Sequence, residues 1–254
     1  MSSGARGPCA FGATRGREAY RTCLIFDVDG TLYRQASVRR GMALRLLSYS
    51  IRNPLAGVKT AAFLKRYRHA QEQLRGTGSC RDQLRTACLD SGVELEWGEG
   101  CVRDWIERRP LDLVAKAIYT GLAALLQRAE KRGLRMAVVS DYPAQEKLRA
   151  LGLDRYFRCV ISPPDPRIAR FKPDPGGILA VLRELKIDAA DAVYIGDRPE
   201  VDAEAAKRAG VACIIVGRAS GPPSGEWLAE PDYTQVAAML KLEEKTQPRE
   251  VTAG

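Results

Sequence analysis

Five short apolar runs punctuate the chain: Cys23–Phe26, Leu134–Val139, Cys159–Ile161, Ala192–Ile195 and Val211–Val216. They are partly β-branched and show no alternation of apolar and polar positions. Runs that are apolar on both faces suit strands buried within a parallel sheet, whereas a strand with one wet face alternates. Helical spacing surrounds the last four. Ile118, Leu122, Leu125 and Leu126 share one face ahead of the second run, and Gly133 supplies a helix end. Ile178, Val181, Leu182 and Leu185 repeat that spacing after Pro175. The alternation predicts an α/β fold built on a doubly wound parallel sheet.

The first two runs lie about a hundred residues apart, far more than one crossover helix requires. The interval is helical by pattern over roughly Val38–Ser50, Ala56–Arg75, Cys80–Leu89 and Gly98–Arg108. Breaks fall at Asn53-Pro54, Gly76–Gly78 and Gly92. The predicted organisation is a core of residues 20–33 and 111–244, with an inserted helical cap over 34–110. Hinges are expected near Tyr33 and Pro110, and tails over 1–19 and 245–254.

Composition narrows the class. Hydrophobic residues make up 45% and charged residues 28%, which permits a packed core. No run approaches the roughly 18 apolar residues of a membrane span, and the first twenty residues lack an apolar signal region. Seven scattered cysteines without a CxxC pair, and a single histidine, His69, argue against zinc. Cys23 and Cys213 sit inside apolar runs and are expected to be buried. Reduced thiols and a cytoplasmic location follow. The net charge of +9 is lopsided: from Arg34 to Arg85, twelve Lys or Arg face only Glu72 and Asp82. Such a field attracts phosphorylated substrates, acidic membrane surfaces or nucleic acid, although a solvated helical face accounts for it equally well.

The strongest chemical signal is Asp27-Val28-Asp29-Gly30-Thr31 at the end of the first apolar run. Two carboxylates two positions apart repel one another unless a cation or proton intervenes. The second run leads into Ser140-Asp141, the third toward Phe171-Lys172-Pro173, and the fourth into Gly196-Asp197-Arg198-Pro199-Glu200-Val201-Asp202. In a parallel sheet the carboxyl ends of the strands share one edge, where ligands bind. With the first strand central, flanked by the second and fourth, Asp27, Asp29, Ser140 and Asp197 meet there, and Lys172 arrives on a loop. Hard carboxylate oxygens gathered in one cleft suit Mg²⁺. Taken singly, Ser140 reads as a helix N-cap, Lys172 as a surface lysine and Asp202 as a helix-start residue.

In this order and combination the motifs resemble the haloacid dehalogenase (HAD) superfamily, in its phosphatase branch with a helical cap, phosphoglycolate-phosphatase-like. The resemblance implies that Asp27 is the nucleophile. Asp29 would protonate the leaving oxygen, then activate water, its backbone carbonyl ligating Mg²⁺. Asp197 would be a second carboxylate on the metal, with Asp202 supporting it. Ser140 and Lys172 would hold phosphoryl oxygens, with Thr31 adding a hydroxyl or backbone contact. The expected partner is a small phosphorylated metabolite, with nucleic acid disfavoured and membrane contact open through the basic helices. A sugar phosphomutase is the alternative, as is a basic binding protein on the same scaffold. The segment after Leu32 lacks the histidine that related mutases carry. It also has Tyr33-Arg34 where small-acid phosphatases place an acidic residue, a departure from the phosphoglycolate pattern.

Overall fold

The computed structural model describes residues 22–216 and 233–242. Five parallel strands form one sheet: β1 (Cys23–Phe26), β2 (Arg135–Val139), β3 (Cys159–Ile161), β4 (Ala192–Gly196) and β5 (Ala212–Ile215). Their order, β3-β2-β1-β4-β5, puts β1 at the centre between β2 and β4, as the motif placement requires. Phe26 pairs with Val138 on one side and Ile195 on the other, so the chain segments that follow leave the sheet on one edge.

The helices, in chain order, are α1 (Gln35–Arg52), α2 (Pro54–Gln73), α3 (Cys80–Ser91), α4 (Leu95–Val102), α5 (Leu111–Ala115), α6 (Leu122–Lys131), α7 (Gln145–Ala150), α8 (Gly176–Leu185), α9 (Glu204–Arg208) and α10 (Tyr233–Met239). A wider π-helical stretch, Arg103–Arg108, extends α4, and another, Pro199–Ala203, precedes α9. None is both long and apolar enough to cross a membrane.

Strand alternation divides the core. Leu24 and Phe26 face α6, α7 and α10 through Leu125, Leu126, Leu148 and Val236. Cys23 and Ile25 face α8 and α9 through Ile178, Val181 and Ala205. Each such buried leucine or isoleucine contributes roughly 1.5–3 kcal/mol by leaving water.

Helices α1–α5 occupy the interval between β1 and β2. Asn53 separates α1 from α2, and a capping box opens α3: Ser79 Oγ accepts from the Asp82 amide while the Ser79 amide donates to the Asp82 carboxylate. Gly92 ends α3 at a left-handed φ of 62°. The chain leaves the sheet layer at Tyr33 and returns beside it at Ile118. The Arg34 amide donates to the Ala117 carbonyl at 2.8 Å, and the Tyr119 amide to the Leu32 carbonyl at 3.3 Å.

Two local expectations are corrected. Ile118 is not on the helix of Leu122, Leu125 and Leu126. It pairs with Tyr33 as extended chain, and α6 begins only after Gly121, at φ 82°. Cys213 lies on the edge strand β5 and is half-buried, whereas central Cys23 is fully buried. The six described cysteines are unpaired. Both predicted tails fall outside the described residues, as do Cys9 and core residues 217–232.

Candidate active site

Asp27 is the first residue beyond β1, fixed by its amide donating to the Ile195 carbonyl at 2.9 Å. The loop then folds back, with the Leu32 amide on the Val28 carbonyl at 2.9 Å. Gly30 adopts φ 100°, and a Cβ there would collide with the Asp197 carboxylate. Only glycine lets the loops after β1 and β4 come this close.

The side chains converge on a buried lysine. Lys172 Nζ lies 2.6 Å from Asp27 Oδ1, 2.6 Å from Asp202 Oδ1 and 3.0 Å from the Tyr194 hydroxyl. Asp202 Oδ2 accepts the backbone amides of Asp197 and Arg198 at 3.2 and 3.0 Å, fastening the loop after β4. Thr31 Oγ1 donates to Asp27 Oδ2 at 3.2 Å. One carboxylate oxygen from each of Asp27, Asp197 and Asp202 lies within 4.8 Å of the others.

One ammonium among three carboxylates leaves negative charge in excess. Burial, then Asp202 and Asp197, push the Asp27 carboxyl well above the usual carboxylate range despite the pull of Lys172. Burial and Asp202 push Asp197 up to about 7. For Lys172, burial opposes the charge, but Asp202 and Asp27 outweigh it and hold the ammonium. Carboxylates that resist carrying their charges together call for a further cation. Three hard oxygens at this spacing fit Mg²⁺.

Asp29 stands apart from that cluster. Lys147 Nζ lies 2.7 and 2.6 Å from its two carboxylate oxygens, and the Tyr33 hydroxyl donates to Oδ1. Its side chain therefore does not join the carboxylate group, and any metal contact falls to its backbone. Ser140 is buried on the strand edge, with its amide on the Ile161 carbonyl and its Oγ accepting from the Tyr142 amide at 3.2 Å.

Helices α1 and α2 form the opposite wall of a cavity of about 370 Å³ above these groups. Arg75 pairs with Glu72 at 2.5 Å, and Arg198 with Glu72 at 3.3 Å and Glu200 at 2.9 Å. Lys147 and Lys172 are taken by Asp29, Asp27 and Asp202. Arg39 and Arg68 also line the cavity, and no carboxylate among the described residues pairs with either. Burial, then the charge of Arg39, lower the proton affinity of Arg68, with Tyr142 countering.

The six residues singled out from sequence gather at one sheet edge, in two groups. Asp27, Lys172, Asp197 and Asp202 form the buried network; Asp29 and Ser140 line the same cavity beside it. Sequence reasoning missed Lys147, Tyr33's hydroxyl, Tyr194 and Arg68. Lys147 had one usable signal, its place next to Leu148 on the inward face of a short helix after Ser140. Asp174 and Glu200 have local roles: Asp174 accepts the Gly176 amide at the start of α8, and Glu200 pairs with Arg198. Asp141 accepts the Lys172 amide at 3.1 Å and so steadies the lysine's loop.

A central parallel sheet with charged groups at its carboxyl edge and helices over the opening is a ligand site of the doubly wound α/β kind. The chain belongs to the haloacid dehalogenase-like hydrolases, whose family model matches residues 22–210. It is 34% identical over 196 residues to a phosphoglycolate phosphatase of Rhodospirillum rubrum, covering 76% of this chain and 78% of that protein. A phosphoglycolate phosphatase of Pseudomonas savastanoi pv. phaseolicola is 26% identical over 211 residues, covering 80% and 72%. Among solved structures, a 2-haloacid dehalogenase from Pseudomonas syringae pv. Tomato superposes with a TM-score of 0.60 at 22% identity, over 87% of this chain and 98% of that one. A HAD phosphatase from Thermococcus onnurineus gives 0.59 at 19%, over 87% and 99%. These two structures share the fold and differ in named chemistry, so likeness of fold does not choose between the reactions.

Proposed function

We propose that the chain hydrolyses a small phosphate monoester through an aspartyl-phosphate on Asp27. The observation that carries this reading is the buried Lys172 held between Asp27 and Asp202, beside Asp197, at the edge where Asp29 also stands. Asp27, Asp197 and a backbone oxygen of Asp29 would hold Mg²⁺, which supplies charge neutralisation for two anions brought together. A carboxylate oxygen of Asp27 attacks phosphorus, and the bond from phosphorus to the ester oxygen breaks. The departing alkoxide takes a proton from Asp29. Water then attacks phosphorus of the acyl phosphate, giving its proton to Asp29, and phosphate leaves with Asp27 restored. Lys172 and Ser140 offset charge on the phosphoryl oxygens. Lys147 and Tyr33 fix the direction of the Asp29 carboxylate.

Halide displacement needs no proton, so a dehalogenase would leave Asp29 idle. Phosphomutase chemistry loses support as well: His69, the chain's one histidine, is exposed on α2 and absent from the cavity wall. For the substrate, Arg39 and Arg68 favour a second negative charge beyond the phosphoryl group. Phosphoglycolate carries one in its carboxylate, and the similar phosphatases are named for it.

A single turnover in isotopically labelled water tests the route. Label should appear in inorganic phosphate and not in Asp27. Label in the Asp27 carboxylate would mean that water attacks the carbonyl carbon of the acyl phosphate, which overturns the route through attack at phosphorus.

A further inference from the structure

Nine large hydrophobic side chains are exposed among the described residues, and five of them lie between positions 44 and 58. Leu44, Leu47 and Ile51 sit on α1; Leu55, 91% exposed, and Val58 sit on α2. All five lie close in sequence to the corner at Asn53, where Gly57 packs so closely on Ser50 that a Cβ would strike its backbone. On α1 the spacing of Arg40, Leu44, Leu47 and Ile51 is i, i+4, i+7, i+11, a single outward stripe opposite buried Val38 and Met42. On α2, Leu55 and Val58 lead along the exposed face to Lys65 and Arg66. Apolar side chains thus crowd the corner, and basic ones stand behind them on both helices.

No Asp or Glu occurs from Arg34 to Gln71. Several basic residues of that stretch are already engaged: Arg45 pairs with Asp112, Lys59 sits over the Trp97 ring, and Arg39 and Arg68 line the cavity. Arg40, Arg52, Lys65 and Arg66 are exposed, with no ion pair to a carboxylate among the described residues. A second copy of the chain docked here across a two-fold axis would bring the same cations against one another. An anionic surface with an apolar interior meets both halves of the pattern.

We propose that the α1–α2 corner docks on an anionic lipid bilayer. The five apolar side chains enter the boundary between headgroups and acyl chains, while Arg40, Arg52, Lys65 and Arg66 meet lipid phosphates. This is independent of the phosphatase reading, since none of these residues lines the cavity.

The test is flotation of the full chain with vesicles of phosphatidylcholine alone or mixed with phosphatidylglycerol. The chain should float with the mixed vesicles and not with phosphatidylcholine alone. Ile51→Glu with Leu55→Glu should cut the bound fraction about ten-fold, with an unchanged melting curve and unchanged turnover of a soluble ester. Arg40→Gln, Lys65→Gln and Arg66→Gln together should weaken binding and leave its residue less sensitive to salt. Failure to float with anionic vesicles, or floating undiminished by either variant, overturns the proposal. So does a dimer in light scattering that the double glutamate variant dissolves, which would make a second copy the occupant.

Discussion

The two walls of the cavity treat charge in opposite ways. At the sheet edge the excess is negative: three carboxylates share one buried lysine, and every oxygen of Asp202 is engaged. On the helical wall the excess is positive: Arg39 and Arg68 face the opening with no carboxylate among the described residues in partnership. The first imbalance is short-range, buried and held by backbone hydrogen bonds, so it specifies a reaction. The second is carried by longer, more exposed side chains on helices, so under the proposed function its part is to select what is brought to that reaction.

The largest effect should come from the sheet edge. Asp27→Asn removes the attacking oxyanion and keeps the shape, so kcat on a phosphate ester should fall at least about a thousand-fold. Its melting temperature should not fall, because one of three mutually repelling carboxylates is gone. Near-normal turnover in a folded Asp27→Asn variant would remove that residue from the chemistry.

Lys172→Met should cost both activity and stability. It strands Asp27 and Asp202 without their cation, and breaking a buried pair from one side costs roughly 3–5 kcal/mol. Turnover should drop by about a hundred-fold or more from lost charge compensation. Denaturant melts without Mg²⁺ check the first part, and a variant as stable as the parent would show that the lysine's charge is dispensable to the fold.

On the helical wall, effects should be smaller and appear in KM. Arg68→Gln should raise KM for phosphoglycolate about ten-fold, the scale of one charged hydrogen bond. A phosphate ester with a neutral tail should be unaffected, and Arg40→Gln should alter neither. Equal losses for Arg40→Gln and Arg68→Gln would reduce the wall to a diffuse field.

The smallest effect returns to the sheet edge, through the metal. Mg²⁺ at about a hundred times its dissociation constant adds about 2.7 kcal/mol, a rise of several degrees in melting temperature for a chain of this size. Asp197→Asn should abolish that rise. An undiminished shift in this variant would place the ion elsewhere.

Much of the sheet edge was legible in the sequence because its information is local. Cys23–Phe26 is apolar throughout and ends in Asp-x-Asp-Gly, and a central strand position brings Ser140 and Asp197 alongside. The helices of the insertion were also legible in outline, with breaks at Asn53 and Gly92 where the structure has them. Direction was not. Arg39 and Arg40 are neighbours with the same chemistry, yet one lines the cavity and the other faces outward, a difference set by how α1 packs. Lys147 reads as one more solvated lysine until Leu148 fixes the face that α7 buries. Ile118 carried the right spacing for a helix, and the pairing with Tyr33 overrode it.

The loop that carries Lys172 is also tied to the helical insertion. The Gly76 amide donates to the Phe171 carbonyl at 3.2 Å, and the Phe171 amide donates to the Gly78 carbonyl at 2.9 Å. These two bonds form a latch on the residue next to the lysine. If the insertion swings aside to admit substrate, the latch opens, water replaces both bonds, and the lysine's loop loosens at that moment. Shutting the latch then restores the lysine to its place before phosphorus can be attacked. In that case entry and reaction follow one another in order, and the closing of a door, not bond breaking, would set the tempo of turnover.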